Sequence, residues 1–170
     1  MPANRREVTL RFLAEPTDVN FGGKVHGGML MKWIDQAGYA CASGWSDSYC
    51  VTAYVGGIGF ERSIMIGSLV EVRARIVLTG SSSMHIAVDV YSRGLRETDW
   101  ARTTQCLAVF VAVDMAGKPH PVPAWGPVTD EDRLLADYAM DMKAQSRQME
   151  AKRARWLAPA GTTGSDQPSR

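Results

Sequence analysis

The sequence is short of the residues that most readily betray a chemistry. Its 170 residues hold three cysteines and three histidines. Cys41, Cys50 and Cys106 are widely spaced, odd in number and form no CxxC pair, so a disulfide framework is excluded and buried thiols in a reducing compartment are expected. His26, His85 and His120 have no second ligand at helical or hairpin spacing, so no metal site is expected. No run of about 18 apolar residues could span a membrane. Met1 to Arg11 lacks the apolar core of a signal peptide, and a cytoplasmic protein is the expectation. Charge is equally spare: the formal net charge is +1 and the pI about 7.7, which leaves no electrostatic footprint for nucleic acid. The common catalytic signatures are missing too. There is no GxSxG elbow and no GxxxxGK[ST] loop, and Gly57-Ile58-Gly59 lacks the third glycine of a dinucleotide fingerprint.

What is present is apolar periodicity. Hydrophobic residues make up 45% of the chain, enough for one domain with a sizeable core. Residues 8–13 alternate as a first strand. A Gly-rich loop, Asp18 to Gly28, follows. From Gly27 to about Ser43 the chain is rich in Met, Leu, Ala and Trp without proline, which predicts a buried helix. Strand patterning then takes over. Cys50 to Phe60 carries Gly56, Gly57 and Gly59, the marks of a bulge. In Leu69–Leu78 the apolar Val70, Val72, Ala74, Ile76 and Leu78 alternate with Glu71, Arg73 and Arg75. Met84–Tyr91 and Thr98–Val113 complete the series, joined by turns. The order is β-α-β-β-β-β, an α+β fold with an antiparallel sheet wrapped around one central helix. Such a sheet leaves edges open, so pairing between copies is expected.

Residues 1–128 form the domain, with its core at about 8–123. Four prolines between Pro119 and Pro127 make an extended linker. Thr129 and Asp132 have the form of a capping box opening a helical arm over 129–157, acidic at its start and basic at its end. Leu134, Tyr138, Met142 and Met149 make a thin apolar stripe along it, read as packing on the core or on a neighbouring subunit. Residues 158–170 read as a disordered tail.

Chemistry concentrates between Asp18 and Gly38. Two glycines, Gly27 and Gly28, run straight into the long helix, where backbone N–H groups at its positive end suit an oxyanion. Asp35 lies farther along the helix among mostly apolar neighbours, where a carboxylate needs a partner or a use. An ion pair with Lys32 and a chemical role stand as alternatives. Asn20 offers either an amide for substrate or a turn before Gly22-Gly23. His26 offers a base or a cap. Gly38 marks close packing against the sheet or approach of a ligand.

Taken together, Asp18-x-Asn20, Val25-His26-Gly27-Gly28 and Asp35-x-Ala37-Gly38 resemble the start of the acyl-CoA thioesterase branch of the hotdog superfamily, which includes YciA-type bacterial enzymes. The likeness continues through Val51-Thr52-Ala53-Tyr54-Val55, Gly59-Phe60-Glu61-Arg62, Gly67-Ser68-Leu69-Val70 and Gly80-Ser81-Ser82-Ser83, ending at Phe110-Val111-Ala112-Val113-Asp114 with Gly117-Lys118-Pro119. The resemblance implies a five-stranded sheet around a central helix and hydrolysis of acyl-CoA to a carboxylic acid and CoA. It implies homodimers, joined as trimers of dimers, with Asp35 of one subunit facing Asn20 of the other. Asp35 would be general base or nucleophile, Gly28 the oxyanion donor, and His26 part of the His-Gly-Gly turn. Arg62 and the Gly80, Ser81, Ser82, Ser83 turn would lie near CoA, which is substrate rather than cofactor; no cofactor is implied. Ser81 and Gln105 depart from the arginine and glutamate that relatives often carry. The alternatives are a non-catalytic acyl-CoA-binding module and a hotdog dehydratase or hydratase.

Overall fold

The alternation in the third predicted strand dictates how the molecule is layered. In a computed structural model, which describes residues 6–157, Val70, Val72, Ala74 and Ile76 are all but fully buried on one face of the sheet, while Arg73 is exposed on the other. The elements run β1 (Glu7–Leu13), a short 3-10 turn (Pro16–Asp18), α1 (Gly27–Ser46), β2 (Tyr49–Phe60), β3 (Leu69–Thr79), β4 (Ser83–Arg93), β5 (Ala101–Val113) and α2 (Asp130–Leu157). The five strands form one antiparallel sheet in the order β1-β3-β4-β5-β2, the architecture expected of a hotdog fold. The last strand begins at Ala101 rather than Thr98.

The inner face of the sheet packs on α1 through Leu30, Trp33, Ile34, Ala37, Cys41 and Ala42, spaced at one helical face. Contact is closest at Gly38, where a Cβ would sit 2.6 Å from the Phe110 ring. This glycine serves helix–sheet packing. Only one side of α1 is covered within the chain: Gly28, Lys32, Asp35, Gln36 and Tyr39 are exposed on the other. The wrapping inferred from the helix's apolar composition is therefore partial, because a single sheet reaches only the face turned toward it. The helix ends at Asp47, whose φ of 51° is left-handed.

In β2 the pairing with β5 slips between Thr52 and Tyr54 and again between Gly56 and Gly59, so the expected bulge is present and doubled. Gly57 has a φ of +64° and lies where a Cβ would come within 2.9 Å of the Tyr138 hydroxyl, a position that only glycine suits.

The outer face is covered by α2. Thr129 Oγ1 accepts from the Asp132 N–H and the Asp132 carboxylate from the Thr129 N–H, both at 3.1 Å, which completes the capping box. Asp132 also pairs with Arg6, which stacks on Trp125 and donates to the Ile76 carbonyl. These partners hold the Asp132 carboxyl well below the usual carboxylate range, the Arg6 guanidinium contributing most. The packing seam of α2 is Ala139, Leu135 and Met142 against Val77, Leu78, Ala87 and Leu107, and Ala136 is buried one turn before Ala139. Of the predicted stripe only Met142 belongs to it; Leu134 and Met149 are exposed and Tyr138 reaches Gly57. Small alanines let the helix approach, and the Arg6–Asp132 anchor sets its rotation. The three cysteines are buried free thiols, with Cys41 and Cys106 pushed up to about 12 by burial. The tail at 158–170 lies outside the described residues.

Candidate active site

The loop before α1 is built by short-range hydrogen bonds. Buried Asp18 accepts from the Glu15 N–H at 2.8 Å, and its carbonyl receives the His26 N–H at 2.7 Å. Asn20 Oδ1 accepts from the N–H groups of Gly22 (2.8 Å) and Lys24 (3.2 Å), so the oxygen makes the turn. Its amide nitrogen makes no hydrogen bond among the described residues and remains able to donate outward. Phe21 beside it stands fully exposed at the loop tip, an apolar group suited to cover by another surface. The Val25 N–H donates to the Ile64 carbonyl and fixes the loop to the segment after β2.

His26 is the N-cap of α1: its Nδ1 accepts from the Gly28 N–H at 2.9 Å. The Gly28 N–H, the expected oxyanion donor, is thus taken up by the His26 ring in this structure. A ligand oxygen at Gly28 has to displace that ring.

Asp35 is exposed in the chain, on the uncovered side of α1, which corrects the apolar setting inferred from its helical neighbours. Among the described residues it makes no ion pair with Lys32. Its Oδ1 instead accepts from Thr52 Oγ1 at 2.6 Å. The β-register explains the contact. Thr52 pairs with Phe110, which faces α1, so its side chain points to the same face. Charge-assisted bonds of this length are strong and directional, so Thr52 fixes the carboxylate. Sequence reasoning missed Thr52 as a site residue; the only signal was its place in Val51-Thr52-Ala53-Tyr54-Val55, because its partner lies 17 positions away.

The residues assigned to CoA fall into two groups. Arg62 lines an open cavity of about 860 Å³ with Arg96, Arg102, Tyr91 and Trp100. Glu61, Glu97 and Asp99 line it too, and Arg102 pairs with Glu61; with Arg11 and Arg93 lying over the Trp100 ring, this end of the sheet is aromatic and carries charges of both signs. The Gly80–Ser83 turn, closed by the Gly80 N–H on the Ser83 carbonyl, lies at the other end of β5, opposite Val111. Arg62 is held at Thr103; at about 3.4 Å per residue the separation is roughly 27 Å. One chain does not bring these groups into one groove, nor does it bring its own Asn20 amide into contact with Asp35. No cluster of three or more His, Cys, Asp or Glu able to hold a metal occurs among the described residues.

Known proteins carry the same fold. The thioesterase superfamily model matches residues 22–98. The acyl-CoA thioester hydrolase YciA of Salmonella typhimurium is 35% identical over 123 residues, covering 71% of this chain and 92% of the relative. A hexameric acyl-CoA thioesterase superposes with a TM-score of 0.83 at 31% identity, covering 89% of this chain and 97% of the other. An acyl-CoA hydrolase of Staphylococcus aureus, solved with butyryl coenzyme A and coenzyme A, superposes with a TM-score of 0.80 at 26% identity, over 90% and 95%. That hydrolase has also been solved with an asparagine, an aspartate and a threonine each changed to alanine, at positions 15 and then 17 apart. The intervals from Asn20 to Asp35 and from Asp35 to Thr52 are the same, 15 and 17. The chain belongs to the thioesterase superfamily of hotdog proteins, in its acyl-CoA thioester hydrolase branch.

Proposed function

We propose that this protein hydrolyses acyl-CoA thioesters to a carboxylic acid and free CoA, with Asp35 as the acting carboxylate. The observation that carries this is the Thr52–Asp35 hydrogen bond on the uncovered side of α1. Thr52 aims the carboxylate by binding one oxygen and leaves the other for water or the thioester carbon. As general base, Asp35 takes a proton from water while the water oxygen adds to the carbonyl; the C–S bond breaks and the sulfur leaves with that proton as the thiol. As nucleophile, its oxygen adds to the carbonyl carbon and the C–S bond breaks, releasing CoA as thiolate and leaving a mixed anhydride; water then opens the anhydride, giving the free acid, restoring the carboxylate and supplying the proton of the thiol. The carbonyl oxygen is received at the start of α1 once His26 has turned from the Gly28 N–H. No cofactor takes part, and the location is cytoplasmic.

The Asn20 amide completes the site from a second copy, whose loop tip with Phe21 covers the open side of α1. The exposed apolar residues of the unpaired β2 edge, Tyr49, Val51, Tyr54 and Phe60, support pairing there. The assembly is a trimer of such dimers. Across it, Arg62 and Arg96 of one subunit and the Gly80–Ser83 turn of another take the phosphates and pantetheine of CoA.

The deciding measurement is release of CoA thiol from a panel of acyl-CoAs by wild type, Asp35→Ala and Asn20→Ala. Hydrolysis is expected across part of the panel and lost by at least about 100-fold in Asp35→Ala. An unchanged rate in that variant refutes the mechanism, and binding of acyl-CoA without turnover refutes the activity.

A further inference from the structure

On the outer face of the sheet, beneath the middle of α2, lies a cavity of about 240 Å³. Its apolar wall is Leu107 and Val109 of β5 with Met142 of α2, and its rim carries Lys143, Ser146 and Arg147. The sheet itself separates it from Asp35 and Thr52, which sit on the inner face; it borders the proposed CoA-binding turn at Ser83 and the β2 edge at Tyr54, and contains neither residue of the hydrolytic pair.

His85 also lines this cavity. It alternates along β4 with Met84 and Ile86, which face α1, and so it points outward under α2. The residue is 3% exposed, and its Nδ1 has no hydrogen-bond partner among the described residues. A buried polar atom without a partner is unfavourable and calls for a reason. The titratable groups sharing the cavity are Tyr54, Lys143, Arg147 and Glu150, two cations against one carboxylate. Burial first, and then the charge of Lys143, push the imidazole down to about 4 against the opposing pull of the Leu78 backbone, so it is neutral near pH 7 and, protonated on Nδ1, offers an N–H without charge.

The size and the walls narrow the occupant. At about 30 Å³ for a water-sized group, 240 Å³ holds roughly eight non-hydrogen atoms. A nucleotide is too large, an inorganic anion leaves the apolar wall uncovered, and a neutral alcohol makes no use of the two cations. We propose that the cavity binds a short-chain organic carboxylate, its charge held by Lys143 and Arg147, one oxygen bonded by the His85 ring, and its chain laid against Leu107 and Met142.

The test is a titration of the full-length protein, labelled with ¹⁵N-histidine, with hexanoate, 1-hexanol and inorganic phosphate, following the His85 ring nitrogens. Hexanoate is expected to shift the Nδ1 resonance saturably, with half-saturation at about 1–10 mM. Hexanol and phosphate should each bind at least about tenfold more weakly, since each lacks one half of the recognition. The Lys143→Gln/Arg147→Gln variant should lose about tenfold in hexanoate affinity, and Asp35→Ala should bind it as wild type does, which separates this site from the inner face. The ligand comparison on wild type stands if the double variant does not fold. A His85 signal unmoved by hexanoate up to about 50 mM, or moved equally by hexanol or phosphate, overturns the assignment.

Discussion

Replacing His85 by leucine removes a titrating group from beneath α2, and with it a defined part of the pH dependence of stability. Above about pH 6.5 the imidazole is neutral in the folded and unfolded chains alike. Below that, the unfolded chain takes up a proton, while the folded protein resists until about pH 4, because burial and the nearby Lys143 disfavour the charged ring. The unfolded state binds more protons in this window, so stability falls as pH drops through it. At about 1.4 kcal/mol per pH unit, the span from 6.5 to about 4 amounts to about 3 kcal/mol, a large share of a typical domain's 5–15 kcal/mol, roughly stated. Urea unfolding followed by tryptophan fluorescence, at intervals from pH 7.5 to pH 4, measures it. Acidic groups such as Asp132 titrate in both proteins and cancel in the wild-type minus variant difference. That difference should be constant above about pH 7 and drop by about 3 kcal/mol toward pH 4. A flat difference curve would refute the reasoning, since it would mean that the folded protein accepts the proton on His85 without penalty.

Thr52→Val keeps the shape of the side chain and deletes the donor to Asp35. A hydrogen bond to a charged group contributes about 1.5–3 kcal/mol, so kcat/KM should fall about 10- to 100-fold, with Thr52→Ser restoring most of it; thiol release reads both. Gly38→Ala drives a methyl to 2.6 Å from the Phe110 ring, with both residues buried. The helix-propensity gain of about 1 kcal/mol is outweighed by overpacking of about 1–3 kcal/mol, and urea unfolding should show a net loss of about 1 kcal/mol, smaller in a Phe110→Leu background. Asp132→Ala strands Arg6 and opens the α2 cap. At neutral pH it should destabilise by about 3 kcal/mol. Because the folded carboxyl titrates well below its ordinary value, the gap from wild type should hold above about pH 4 and narrow as pH falls further.

Elements with a strong period were legible in the sequence, and relations between elements were not. Val70 to Ile76 announced both the strand and the face it buries, and Thr129 with Asp132 announced where α2 begins. The setting of Asp35 was misjudged because its neighbours three and four residues away describe the helix's own surface; whether a sheet covers that surface is decided elsewhere. Its bond to Thr52 depends on the β2–β5 register, in which Thr52 meets Phe110 just before a bulge, and no local pattern encodes that pairing. The seam of α2 was misread for a different reason. Large apolar residues were taken as the contact, whereas Ala139 sits at its centre beside Leu135 and Met142, since a small side chain allows the closer approach.

The two edges of the sheet are unequal. β1 is seven residues long and carries Glu7 and Arg11, while β2 runs for twelve residues and shows Tyr49, Val51 and Phe60 to solvent. A sheet with two welcoming edges can add copies without limit and grow into a ribbon. In the proposed dimer, with one short, charged edge and one long, apolar edge per copy, growth would stop at the first encounter: β2 against β2 would consume the welcoming edge of both copies and leave the two charged ones facing outward. On that proposal, the asymmetry between a guarded strand and an open one would set a ceiling of two on edge-to-edge assembly, and anything larger would be made from finished pairs through other surfaces.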